Sequence, residues 1–114
     1  MGDIAAAWQR FVPQVRSHWK SCAEAGLPHT DANLHATCAL FETFVRALDA
    51  KAPPLDEIRK LYAGIDMLNE QHDGGLFETD ERELLVTWII QAAEMAGINP
   101  ADHDGEPGSE WRDF

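Results

Sequence analysis

Apolar residues recur along this chain at helical rather than strand spacing. Ile4, Trp8, Phe11, Val12, Val15, Trp19 and Cys22 follow one another at steps of three and four with one adjacent pair, which puts them on one face of a helix over about 3–25. Asp3 stands where a cap is expected, and Gly26 followed by Leu27 fits a glycine stop with a hydrophobic contact behind it. Pro13 falls inside this stretch and deprives the Gln9 carbonyl of its usual donor. Because the apolar phase carries through it, the spacing predicts one kinked helix rather than two.

Leu34, Cys38, Phe41, Phe44, Val45 and Leu48 mark a second helix over about 31–50, opening at Thr30 or Asp31. Ala52-Pro53-Pro54 ends it and opens a third over about 55–69, with Leu55, Ile58, Leu61, Tyr62, Ile65 and Leu68 inward. Gly74-Gly75 breaks the chain again. The fourth helix, about 80–96, begins at Thr79 or Asp80, with Glu83 placed to complete a capping box, and stops at Gly97-Ile98. No period-two run is long enough for a sheet, and there are no internal repeats. Short connections between comparable helices predict an all-α fold: one domain over 1–114, a four-helix antiparallel bundle with an ordered C-terminal tail.

The fourth helix is not simply amphipathic. Leu84, Leu85, Trp88, Ala92, Met95 and Ala96 form its main face, Val86, Ile90 and Ala93 lie nearly opposite, and Ile89 falls between. A helix apolar most of the way round needs cover on both sides. The tail, 97–114, is turn chemistry that ends in Trp111 and Phe114, two large aromatics expected to dock on that second stripe. The alternative is a twofold dimer built through the stripe.

Charge adds a second layer. The chain carries 9 Lys and Arg against 20 Asp and Glu, a net charge of −11, and all of the excess lies in residues 61–114. Such a field repels nucleic acid and anionic membranes and favours a basic partner. No apolar run approaches the roughly 18–20 residues of a membrane span. The start, Met1-Gly2-Asp3-Ile4-Ala5, has no signal-peptide pattern, and Ala6 stands where myristoylation needs Ser or Thr, so a cytoplasmic location is expected. Cys22 and Cys38 then read as reduced thiols within apolar helix faces.

Catalytic signatures are missing: no glycine-rich phosphate loop, no Walker lysine, no G-x-S-x-G and no H-E-x-x-H. His18, Cys22, His35 and Cys38 would meet level across a hairpin of the first two helices, a donor set that suits zinc. Phase opposes it, since His35 falls about 120° and His18 about 65° from the centres of their apolar faces. No metal or cofactor is therefore expected. Cys22, in the last turn of its helix, is a poor nucleophile because the dipole raises its pKa. His29-Thr30-Asp31 reads as a capped helix start, and Asp102-x-Asp104-Gly105-Glu106 fails as a calcium loop because Pro100 and Trp111 occupy ligand positions.

The strongest candidate surface is the entry to the fourth helix. Glu78, Asp80, Glu81 and Glu83, with Glu70 and Asp73 across the glycine turn, form an acidic rim around Leu76 and Phe77. Some of these acids offset the helix dipole, and Phe77 suits a hydrophobic staple. Together they fit a recognition surface with apolar anchors and a charged rim. In size, charge and helical make-up the chain resembles small acidic antitoxin and immunity proteins, though it carries none of their specific motifs. The expected function is a small acidic cytosolic protein–protein interaction module, not an enzyme, that binds or inhibits a basic protein. The alternative is a homo-oligomeric accessory protein associating through the fourth helix, so the chain is expected as a monomer or a homodimer.

Overall fold

The computed structural model describes residues 2–114. Its helices are α1 (Asp3–Glu24), α2 (Asp31–Asp49), α3 (Pro54–Glu70) and α4 (Thr79–Met95), followed by two 3-10 turns, Pro100–His103 and Ser109–Trp111. No strand occurs among the described residues. α1 packs on α2 and α4, and α2 packs on α3. None of the helices is long and apolar enough to cross a membrane.

The apolar stripes become one core. Trp8 stacks on Phe41 at 4.9 Å and meets Trp88 edge-on at 5.1 Å, which joins α1, α2 and α4 through aromatic rings. Each ring brings large area out of water, and stacked or edge-to-face pairs contribute about 1 kcal/mol beyond that area. Val15, Phe41, Ile58, Tyr62, Ile65, Leu85 and Ala92 are fully enclosed around them. α1 runs unbroken through Pro13.

The start of α1 is not capped by Asp3, which is its first helical residue and exposed. Gly2 takes the N-cap position with no side chain to offer. Asp49, the last residue of α2, supplies the acceptors instead: its two carboxylate oxygens take the Ile4 and Ala5 N–H groups at 3.0 and 2.9 Å. A carboxylate at the positive end of a helix is favoured twice, by hydrogen bonds and by the dipole. A Cβ at position 2 would overlap that carboxylate, so the close approach needs glycine there.

α4 is covered within the single chain. Val86 and Ala93 of its second stripe are buried and Ile90 is half-buried. The tail does not achieve this in the expected way. Phe114 packs on Tyr62 of α3 and on Phe77, at 5.7 and 5.9 Å, and Trp111 lies under the Arg59 guanidinium of α3. The Ser109–Trp111 turn contacts α3, while the Pro100–His103 turn contacts α4.

Polar contacts fix the tail on α3. Glu106 accepts from the Tyr62 hydroxyl at 3.1 Å and takes Arg112 through both carboxylate oxygens, at 2.9 and 3.2 Å. Paired N–H donors of this kind hold orientation as well as charge. Burial, reinforced by the Glu106 carboxylate, pushes the Tyr62 phenol far above its usual range, so it stays a donor. Gly108 turns the chain at φ +77°, and a Cβ there would lie 2.8 Å from the Ile58 methyl and 2.9 Å from the Trp111 ring. Asp66 accepts the Asp113 N–H at 3.2 Å, yet burial first, then the charges of Asp113 and Glu70, push its carboxyl up despite that bond.

Two substitutions check these contacts. Asp49→Ala is expected to lower unfolding free energy by about 1 kcal/mol, the usual cost of losing a helix cap, seen as a lower urea midpoint at unchanged slope. For Asp66, a folded pKa above the unfolded one means stability is lost as pH rises through the folded value. Asp66→Asn keeps an acceptor and removes the charge, so it should raise the thermal midpoint at neutral pH, with the gain fading as pH falls through the folded pKa and lost once pH is well below the unfolded value of 3.8. A gain that grows on acidification would refute the assignment.

Candidate functional site: a buried His, Cys and Glu centre beside an acidic groove

The entry to α4 divides into two environments. Glu78, Asp80 and Glu83 are exposed, as are Glu70 and Asp73 across the turn. Leu76 and Phe77 are 0% and 2% exposed, so neither is an anchor that a partner can reach. Asn69 explains their position: its side-chain oxygen accepts the N–H groups of both, at 3.0 and 2.9 Å, and folds the turn back on α3. Phe77 then packs against Trp19 at 6.0 Å and against Phe114. With the turn held against α3 by these two bonds, both side chains lie in the core rather than in water.

Glu81 departs further from expectation. It is 5% exposed, enclosed between α1, the α1–α2 connection and its own helix. Its Oε1 accepts the Glu78 N–H at 3.1 Å, so Glu81 closes the helix start in the role expected of Glu83, and Glu78 is the N-cap. Its Oε2 lies 2.6 Å from His18 Nε2 and 4.0 Å from Cys22 Sγ. Cys22 Sγ is itself 3.4 Å from His18 Nε2. His29 completes the group, with its Nε2 3.8 Å from Glu81 Oε1 and its side chain wholly buried.

Local structure positions each of these side chains. His18 and Cys22 are four apart on α1 and so stack on one face. His29 sits in the connection after Gly26, where the ring packs edge-on to Trp19 at 4.8 Å and to His18 at 6.5 Å. That connection is pinned by Asn33, which accepts from the Trp19 indole at 2.7 Å and the Thr30 N–H at 2.9 Å and donates to the Pro28 carbonyl at 2.8 Å. In return the Thr30 hydroxyl oxygen accepts the Asn33 N–H, so α2 begins with a reciprocal capping pair. His35 and Cys38 take no part; His35 is exposed and Cys38 half-buried.

Electrostatics in this centre are set by enclosure. Burial pushes the Cys22 thiol up, and the Glu81 and Asp80 charges push it the same way. Cys38 is also raised, by burial, and both cysteines are free thiols. For His29, burial lowers the pKa against the opposing pull of Glu81 and of the Leu76 carbonyl beside the ring. Neither ring nitrogen of His29 has a hydrogen-bond partner of good geometry. A buried polar group left unmatched costs about 1–3 kcal/mol.

His18 has a second exposure, since it also lines an open groove of about 890 Å³ between α1 and α4. Phe11, Pro13 and Leu84 supply apolar lining, Gln14, Ser17, Ser21 and Thr87 supply neutral polar groups, and Asp80 and Glu83 supply charge. No Lys or Arg lines it. The acids read from the sequence as a rim around Leu76 and Phe77 therefore flank a different apolar surface.

The two environments predict different responses. Glu81→Ala should cost about 2 kcal/mol of unfolding free energy, because the Glu78 N–H and His18 lose a buried partner. Glu83→Ala should fall within about 0.5 kcal/mol of the parent, as exposed acids do. Equal costs at the two positions in urea unfolding would contradict the burial of Glu81.

Compared with known proteins, the chain matches no protein-family model, no curated protein and no solved structure, so the chemistry of the site has to be read from its own residues.

Proposed function

We propose that this protein is a small acidic interaction module of the cytosol, which binds, and by binding inhibits, a basic protein. The surface assigned to that role is the α1–α4 groove, and its occupant is a lysine- or arginine-rich segment with interspersed apolar residues. The architecture this uses is an antiparallel bundle in which α1 bends at Pro13, one of the groove's lining residues. No enzymatic step is assigned to it.

A single observation carries the proposal: the groove joins apolar lining from Phe11 and Leu84 to the carboxylates of Asp80 and Glu83, with no Lys or Arg among its lining residues. Glu78 lies just outside it, exposed, at the N-cap of α4. All of the chain's excess negative charge is carried by residues 61–114, which include this rim. Opposed charge steers encounter and sets register, while apolar contact inside the groove holds the complex once formed. A nucleic acid is disfavoured by the same charges.

The test uses the full chain and an amphipathic Lys/Leu peptide, followed by amide chemical shifts at low and high salt. Shifts should concentrate at Phe11, Gln14, Ser17 and Thr87, and affinity should fall as salt rises. Asp80→Lys with Glu83→Lys should weaken binding by about tenfold or more and flatten that salt dependence. Glu94→Lys with Asp102→Lys, equal in charge change but outside the groove, should have a much smaller effect. Equal losses from both pairs, or shifts spread evenly over the acidic half, would reduce the interaction to net charge and overturn the groove.

A further inference from the structure

The groove does not account for what lies beneath it. His18 Nε2, Cys22 Sγ and a Glu81 carboxylate oxygen all fall within 4.8 Å of one another. His29 stands just outside this group, a fully buried imidazole whose Nε2 is 3.8 Å from the other Glu81 oxygen and whose ring nitrogens have no hydrogen-bond partner of good geometry, the Leu76 carbonyl lying beside the ring. Enclosing an imidazole, a thiol and a carboxylate together, beside the half-buried His18, is costly unless something uses their lone pairs. The geometry points to a zinc site: we propose that His18, Cys22, His29 and Glu81 bind one Zn²⁺ ion.

The donor set selects the ion. Calcium and magnesium take oxygen ligands, whereas two nitrogens, one sulfur and one carboxylate oxygen suit tetrahedral zinc. Zinc–ligand lengths near 2.0–2.3 Å place tetrahedral donors about 3.2–3.8 Å apart. His18 Nε2 and Cys22 Sγ already stand at 3.4 Å. Binding would open the 2.6 Å His18–Glu81 contact and draw in Cys22 Sγ, now 4.0 Å from Glu81, each by under about 1 Å, and would bring His29 Nε2 in from beside the other Glu81 oxygen.

The supporting contacts are those of a ligand shell. The Glu78 N–H holds the second Glu81 oxygen, and the Leu76 carbonyl lies against the His29 ring. Groups that orient ligands in this way raise affinity for the ion. On coordination the Cys22 S–H bond breaks, its proton leaves to buffer and the sulfur binds as thiolate, while both imidazoles bind neutral. One ion would then tie together three segments of the chain: α1, the connection carrying His29, and the first turn of α4.

Full-length protein, stripped with a chelator, is titrated with Co²⁺ and then Zn²⁺. The expected result is one equivalent of Co²⁺ with the visible bands of tetrahedral cobalt and a near-ultraviolet thiolate charge-transfer band. Zn²⁺ should displace it and raise the thermal midpoint, because an ion that binds only the folded state stabilises it. Cys22→Ser should abolish the charge-transfer band, and His18→Gln, His29→Gln and Glu81→Gln should each weaken Zn²⁺ binding by about 10–100-fold. Cys38→Ser and His35→Gln should leave spectrum and affinity unchanged. Failure to bind one equivalent, or a band that survives Cys22→Ser but disappears with Cys38→Ser, overturns the site. Should Cys22→Ser fail to fold, Glu81→Gln decides: parent-like Zn²⁺ affinity in that variant refutes the assignment.

Discussion

A carboxylate taken out of water at the start of α4 organises this molecule. Glu81 is enclosed at the N-terminal end of a helix, where it accepts the Glu78 N–H, and it faces His18, Cys22 and His29 from two other segments. Leaving such a group unpaired costs several times what an exposed ion pair contributes. The arrangement therefore dictates where the chain may go. α1 must present His18 and Cys22 on the face toward α4, and the α1–α2 connection must fold inward far enough to bring His29 to the carboxylate.

The rest of the fold supplies the enclosure. Trp19 covers one side of His29 and is itself fixed to Asn33, which also pins the start of α2. Phe77 closes over Trp19, and Phe114 from the tail closes over Phe77. The tail is held by the Glu106 network on α3, so a contact made at the last residues of the chain shields the polar centre at second hand. Outside this shell the remaining acids of the α4 entry stay in water, which is what lets one stretch of sequence serve both a buried centre and a charged groove.

Much of the helical architecture was legible in the spacing of apolar residues, because α1, α2 and α3 each bury one face and a period near 3.6 survives in their sequences. Contacts between elements were not. Asp49 caps α1 from the end of α2, and no local pattern around Asp3 announces it. Trp111 and Phe114 were right to suggest docking, but which helix receives them depends on Gly108 and Glu106, whose roles exist only once α3 is in place. Leu76 and Phe77 looked like exposed anchors because acids surround them in sequence; Asn69, several residues upstream, turns them inward.

Glu81 carried a signal that its neighbours masked. Glu78, Asp80 and Glu83 make the segment read as a solvated acidic run, yet Glu81 precedes Leu85, Trp88 and Ala92 at steps of four, three and four, on the main apolar face of α4. A charge in phase with the core is the residue to question. Cys22 was visible in the same way, while His18 stood at the edge of its face and His29 lay in a connection where periodicity says nothing. The four therefore could not be joined without a tertiary structure.

Crystals of the full chain grown with Zn²⁺, with diffraction recorded on both sides of the zinc absorption edge, test this account most directly. It predicts one strong anomalous peak enclosed by His18 Nε2, Cys22 Sγ, a His29 ring nitrogen and a Glu81 oxygen. Anomalous density only at exposed acids such as Glu83 or Asp102, with the buried centre lacking a peak, would contradict it.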